Sequence, residues 1–179
     1  FLDAVPDERM LVLDLFCENT PMWSRTEAFC GKPWLWCNVQ NFGCNVCLGG
    51  ALDRNNTGLN EARTNPGRGS LVGVGFVNEG LGYNPVVYDL MFEAAWRDQA
   101  VDLSQWVRDY SHHRYGRANP DAETAWAILL ETVYTAPNRT RSVIDHVPSF
   151  GPMGGPPYSN TQLAAAWRSL LKAGDELAD

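Results

Sequence analysis

The stretch Ser70–Tyr88, S-L-V-G-V-G-F-V-N-E-G-L-G-Y-N-P-V-V-Y, constrains what this chain can fold into more than any other. Leu71 to Val77 is short, apolar and rich in β-branched residues, with glycines at alternate positions 73 and 75. That pattern predicts a strand buried on both faces, as in a parallel sheet. A carboxylate, Glu79, stands at the end of the strand, followed at once by Gly80 and Gly82. Asn84-Pro85 predicts a helix start, Asn as N-cap and Pro at the first position. Strand, acid-bearing loop and helix form one βα unit of an α/β protein. In barrels of such units the chemistry sits in those loops, at the C-terminal ends of the strands. Glu79 is therefore the first candidate for a functional group. The competing reading is a Glu that caps the following helix or pairs with an arginine at the rim.

Two further apolar segments read as strands. Arg9 to Phe16, R-M-L-V-L-D-L-F, follows a polar Pro6-Asp7-Glu8 turn and carries Asp14 inside it, with Glu18 just beyond. A carboxylate in an apolar strand is costly to bury unless paired, so Asp14 is either a site acid or a hydrogen-bonded residue holding a neighbouring loop. Glu18 reads as a surface or loop residue. Residues 34–40, W-L-W-C-N-V-Q, end in the polar loop Asn41-Phe42-Gly43-Cys44-Asn45. Between 48 and 69 turn formers dominate, after a short helix near 50–53. Three strands with polar loops at their ends suggest part of a parallel barrel. A complete eightfold barrel takes about 250 residues, and the 179 here could supply only its last portion.

The helix after Glu79 turns Val86, Val87, Leu90, Met91, Ala94 and Ala95 to one face. Past Ala100 the pattern becomes wholly helical. Asp102 is placed to cap a helix with Leu103, Trp106, Val107 and Tyr110 inward, stopping at Gly116. Asn119-Pro120 opens another, with Ala122, Ala125, Trp126, Leu129, Leu130 and Val133 inward. A third begins near Asn160, with Leu163, Trp167, Leu170 and Leu171 facing in. The expected division is thus an α/β part over 1–100 and an all-α part over 101–179.

Composition excludes several classes. A net charge of -7 without a basic run argues against nucleic acid, and would not draw a sulfated polysaccharide over long range. No apolar run approaches the roughly 20 residues of a membrane span. The chain opens at Phe1 without an initiator Met or signal segment, which reads as a piece of something longer. Seven tryptophans suit a sugar-stacking surface, but a large core uses them more often. Cys17, Cys30, Cys37, Cys44 and Cys47 are an odd set, and Cys44-Asn45-Val46-Cys47 admits zinc, a disulfide or plain thiols. His112, His113 and His146 are remote in sequence. His112 and His113 fit a solvated or packing role in a last helical turn better than a ligand role. The sequons Asn55-Asn56-Thr57 and Asn138-Arg139-Thr140 permit glycosylation in a secreted chain.

Taken together, V-G-V-G-F-V-N-E-G-L-G-Y-N-P-V-V-Y-D-L-M, W-C-N-V-Q-N-F-G-C-N and L-V-L-D-L-F resemble α-N-acetylglucosaminidases of glycoside hydrolase family 89. The segments D-L-S-Q-W-V-R-D-Y-S-H-H-R-Y-G and N-P-D-A-E-T-A-W-A-I-L-L resemble the family's helical domain. The resemblance implies the last strands of a (β/α)8 TIM-type barrel running into an α-helical domain. It also implies a retaining exo-hydrolase of terminal α-linked N-acetylglucosamine, lysosomal in animals and acting there on heparan sulfate. Carried over, the glutamate of the family's G-x-G-x-x-x-E-G segment is Glu79, the nucleophile. Phe42 and Leu15 match pocket-lining positions, and Trp36 and Asn41 take supporting substrate-binding roles. The family's acid/base glutamate belongs to an earlier strand that is not among these residues. No cofactor or metal is implied, and the partner is a glycan ending in α-GlcNAc. A lysosomal or secreted location follows from the resemblance, which also allows a homo-oligomer of the full-length enzyme. Val46 departs from the animal enzymes' histidine, and Cys44 and Cys47 depart from the relatives. Two readings from other classes stand beside this one: a non-catalytic carbohydrate-binding module, and a zinc-stabilised domain using Cys37, Cys44 and Cys47.

Overall fold

The computed structural model describes residues 1–40, 48–80, 82–136 and 158–177. They form two compact units. One comprises described residues 1–40, 53–80 and 82–100, the other 48–52, 101–136 and 158–177.

The first unit is built on a three-stranded parallel sheet in the order β1 (Val12–Asp14), β2 (Trp34–Asn38), β3 (Leu71–Phe76). The strands are shorter than the apolar segments predict, because Asp7–Arg9 is a 3-10 turn and β2 stops at Asn38. Register brings Leu13, Leu35 and Gly73 into one row and Asp14, Trp36 and Val74 into the next, on the opposite face. Helix α1 (Leu52–Thr64) lies on the Trp36 side: a Cβ at Gly58 would stand 3.4 Å from the Trp36 ring. Helix α2 (Pro85–Ala94) buries Val86, Val87, Leu90, Met91 and Ala94, as its pattern predicts, while Ala95 is exposed. The core joins Trp23, Phe29, Trp34, Trp36, Leu59, Ala62, Met91 and Ala94.

Helix α1 is a correction. Its sequence, L-D-R-N-N-T-G-L-N-E-A-R-T, reads as turns because Asn, Thr and Gly are weak helix formers. Tertiary contacts override that preference: Leu52, Asn55, Asn56, Leu59 and Ala62 are buried at helical spacing. Asn55 is 0% exposed and its side-chain oxygen accepts from Asn38 Nδ2 at 2.8 Å. That sequon has no room for a glycan in the folded chain. Asn138 lies outside the described residues.

The opposite face of the sheet carries Leu13 and Leu15, 49% and 44% exposed. β3, expected to be buried on both faces, is half-buried, with Val72 exposed where the register shifts between Trp34 and Leu35. Parallel sheets are normally covered on both faces, and among the described residues of this unit the helices cover only one.

In the second unit, α3 (Leu103–Tyr115) starts at Asp102, whose carboxylate accepts from the Ser104 and Gln105 N–H groups at 2.9 and 3.1 Å. It stops at Gly116, φ 75°. Helix α4 (Pro120–Glu131) is capped by Asn119 Oδ1 accepting from Ala122 N–H at 2.9 Å. Both helices bury most of the predicted stripes, with Leu103 half-buried; Trp106 stacks on Tyr110, Tyr110 meets Trp126 edge-on, and Trp126 stacks on Tyr134. Helix α5 (Asn160–Leu177) departs from expectation: Ala166 and Ala173 are buried, while Trp167 and Leu171 are 64% and 57% exposed. Small residues let α5 approach α4 closely, and the half-buried Leu163, Leu170 and Leu177 flank that alanine line. Asn119 and Lys172 tie the pair through Glu176 and Asp121, at 2.8 and 3.2 Å.

Candidate functional site

Parallel strands put their C-terminal ends on one edge, and two of the candidate residues, Leu15 and Glu79, lie there. Leu15 follows β1 directly, and Glu79 lies in the loop between β3 and α2, exposed to solvent. Continued at strand alternation, Leu15 and Glu79 fall on the sheet face of Gly73 and Gly75, away from the helices. β2 lies between them, so at about 4.8 Å per strand the two strand ends stand roughly 10 Å apart. Asn41 and Phe42, which follow β2, lie outside the described residues, as do Cys44, Val46 and Cys47.

The glycines of β3 have a steric reason. A Cβ at Gly75 would come within 2.9 Å of Cys37 Sγ, and one at Gly73 within 3.2 Å of a Leu35 methyl. Side chains of β2 lean across β3 on the Glu79 face, and only glycine admits them.

The loop carrying Glu79 is held on both sides. Val77 N–H donates to the Asn38 carbonyl at 2.9 Å, and the Tyr88 hydroxyl donates to Asn78 Oδ1. Asn84, at the N-cap of α2, makes no side-chain cap bond; its N–H donates to Gln40 Oε1 at 3.3 Å. Gln40 is wholly buried, and its amide nitrogen has no partner among the described residues. Tyr88 stacks on Phe76 at 4.2 Å and meets Tyr83 at 4.9 Å. Gln40 and Tyr88 escape sequence reasoning. A glutamine ending an apolar strand is the one signal for the first, and nothing in the sequence pairs it with Asn84.

Trp36 is 1% exposed and belongs to the core cluster, on the helix side of the sheet. In this chain it supports β2 from behind and offers no face to solvent. Asp14 takes the loop-holding role of the two left open for it. Buried on the helix side, it accepts from Met22 N–H at 2.9 Å and Trp23 N–H at 2.8 Å. Glu18 lies in the turn after β1, the loop place allowed for it, but is buried and not at the surface. Its carboxylate accepts from Val39 N–H at 3.3 and 3.4 Å, because the turn after β1 folds back over the end of β2.

Cys17 and Cys37 are buried thiols, and Cys30 is exposed. Burial, then the Asp14 and Glu18 carboxylates, push Cys37 up to about 11, and burial also pushes Cys17 up. Cys17, Cys30 and Cys37 are free, and no group of three or more His, Cys, Asp or Glu is arranged for a metal among the described residues. Five tryptophans, Trp23, Trp34, Trp36, Trp106 and Trp126, are core; Trp96 and Trp167 are exposed. His112 Nε2 lies 2.7 Å from Glu123 Oε1, which joins α3 to α4.

Comparison with known proteins agrees with this arrangement over almost the whole chain. The model of the alpha-N-acetylglucosaminidase (NAGLU) tim-barrel domain matches residues 1–98, and that of the C-terminal domain of the same family matches residues 106–179. The chain belongs to the alpha-N-acetylglucosaminidase family. Human alpha-N-acetylglucosaminidase is 42% identical over 183 aligned residues, covering 99% of this chain and 24% of the human protein. A family 89 glycoside hydrolase from Clostridium perfringens, solved with 2-acetamido-1,2-dideoxynojirmycin, superposes with TM-score 0.84 at 29% identity over 98% of this chain. The bacterial enzyme solved with its substrate GlcNAc-alpha-1,4-galactose, in a form with two glutamates replaced by glutamine, gives TM-score 0.80 at 31% identity over 96% of this chain. The chain spans about a quarter of the human relative and 21% and 20% of the bacterial ones.

Proposed function

We propose that this chain is part of a retaining α-N-acetylglucosaminidase, with Glu79 as its nucleophile. The observation that carries the reading is Glu79 itself: an exposed carboxylate at the C-terminal edge of a parallel sheet, in a family of α-N-acetylglucosaminidases. Retaining hydrolysis needs two carboxyl groups about 5–5.5 Å apart, because water is a poor nucleophile and an alkoxide a poor leaving group. Glu79, ionised, attacks the anomeric carbon while an acid outside these residues protonates the glycosidic oxygen. Water then releases the sugar with that same residue as base. The bacterial relative held its disaccharide after two glutamates were replaced, which supports a pair of glutamates here.

In this reading the three strands are the last of a (β/α)8 barrel, and residues 101–179 begin a helical domain. The open Leu13–Leu15 face becomes the barrel interior, closed by earlier strands. Leu15 and Phe42 line the sugar pocket, with Trp36 and Asn41 in supporting roles, Trp36 from the core side. The substrate is a glycan ending in α-GlcNAc; heparan sulfate, and a lysosomal or secreted location, follow from the resemblance to the animal enzymes. No described helix is long and apolar enough to cross a membrane.

The test is Glu79→Gln in the full-length enzyme, assayed on an aryl α-GlcNAc glycoside. Loss of a nucleophile predicts a fall in kcat of about four orders of magnitude or more, with the melting temperature preserved. Hydrolysis at the unaltered rate would overturn the reading. The 179 residues alone, lacking the acid, should release no GlcNAc.

A further inference from the structure

We propose that Gln40 and Tyr88 are positioning residues for Glu79, clamping the two ends of the loop that presents it. The proposal rests on the reading of Glu79 as nucleophile.

Glu79 stands in a short loop between β3 and α2, with glycine at position 80. Such a loop leaves a carboxylate free to wander unless its flanks are fixed, and displacement by about 1 Å from an attacking geometry costs on the order of a hundredfold in rate. The flanks are fixed. On the strand side the Val77 N–H is held by the Asn38 carbonyl at 2.9 Å, and the Tyr88 hydroxyl donates to Asn78, the residue directly before Glu79. On the helix side the Asn84 N–H is held by Gln40 Oε1 at 3.3 Å. The Tyr88 ring lies between Phe76 and Tyr83, at 4.2 and 4.9 Å, so its hydroxyl has one direction. Burial raises its pKa, which keeps the donor proton in place.

Stability alone gives no reason for glutamine at position 40. The side chain is wholly buried and its amide nitrogen is unpartnered among the described residues. Methionine would fill nearly the same volume without desolvating an amide. What methionine cannot do is accept from Asn84. The amide is retained for its oxygen.

The experiment is a kinetic comparison of Gln40→Met, Gln40→Glu, Tyr88→Phe and Glu79→Gln in the full-length enzyme. Rates are normalised to active sites counted by tight binding of 2-acetamido-1,2-dideoxynojirmycin. Gln40→Met and Tyr88→Phe are expected to lower kcat per site by roughly tenfold or more while KM stays within about twofold. Gln40→Glu, which keeps an oxygen for Asn84, should recover most of the loss. A merely structural role would lower the number of titratable sites and leave the rate per site unchanged, and that result overturns the proposal. If Gln40→Met does not fold, Tyr88→Phe decides, since it removes one hydroxyl and no packing atom. If Glu79→Gln keeps full activity, the nucleophile reading fails instead, and the two failures are distinct.

Discussion

Asp14 and Glu79 each stand at the C-terminal edge of a parallel strand, and their surroundings separate them. Asp14 is buried, and both carboxylate oxygens accept backbone N–H groups of Met22 and Trp23. Those bonds hold the turn that carries Trp23 onto Trp34, with ring centroids 5.7 Å apart. Removing the carboxylate leaves the buried Trp23 N–H and the part-buried Met22 N–H without this partner, a loss of about 1–3 kcal/mol for a buried donor. Asp14→Ala is therefore expected to lower unfolding free energy by roughly 3 kcal/mol, read by denaturant titration of the full-length enzyme. Its kcat per active site should stay unchanged; a large fall in that rate with stability intact would make Asp14 a site acid. The sequence left this choice open because an Asp in an apolar strand looks the same whether it meets substrate or a neighbouring turn.

At the scale of elements, the parallel strands and α2 follow from periodicity, and α3 and α4 from periodicity and caps. The Asp102 and Asn119 side chains bond as their positions predict. α1 and the face of α5 do not follow, for one physical reason. Both are fixed by the partner they pack on, Asn38 and Trp36 for α1 and the α4 surface for α5. Propensity and the hydrophobic stripe carry no information about a partner. In α5 the largest apolar residue, Trp167, draws the eye, yet two alanines make the contact. The glycines of β3 read in the sequence as part of a buried-strand pattern, not as clearance for Leu35 and Cys37. That clearance is testable. Gly75→Ala puts a methyl 2.9 Å from Cys37 Sγ, an overpacking worth about 1–3 kcal/mol. Cys37→Ala should relieve it, so the double variant should melt above Gly75→Ala alone. Additive melting shifts would mean that the two side chains do not meet.

For the whole molecule, the central fact is an open sheet. Among the described residues of the first unit, Leu13 and Leu15 stand exposed on the sheet face opposite the helices, and Glu79 stands beyond the C-terminal end of β3. The proposed function joins the two, reading them as a barrel interior and half of a two-carboxylate site. In that reading the site also takes Asn41 and Phe42, which lie outside the described residues, and a second carboxylate. The most direct test is to trap the intermediate. Full-length enzyme is treated with a fluorinated α-GlcNAc donor that forms but does not release a glycosyl-enzyme, then digested, and the labelled peptide is sequenced by mass spectrometry. The account predicts one sugar bound to Glu79; a covalent label on a peptide lacking Glu79 would contradict it.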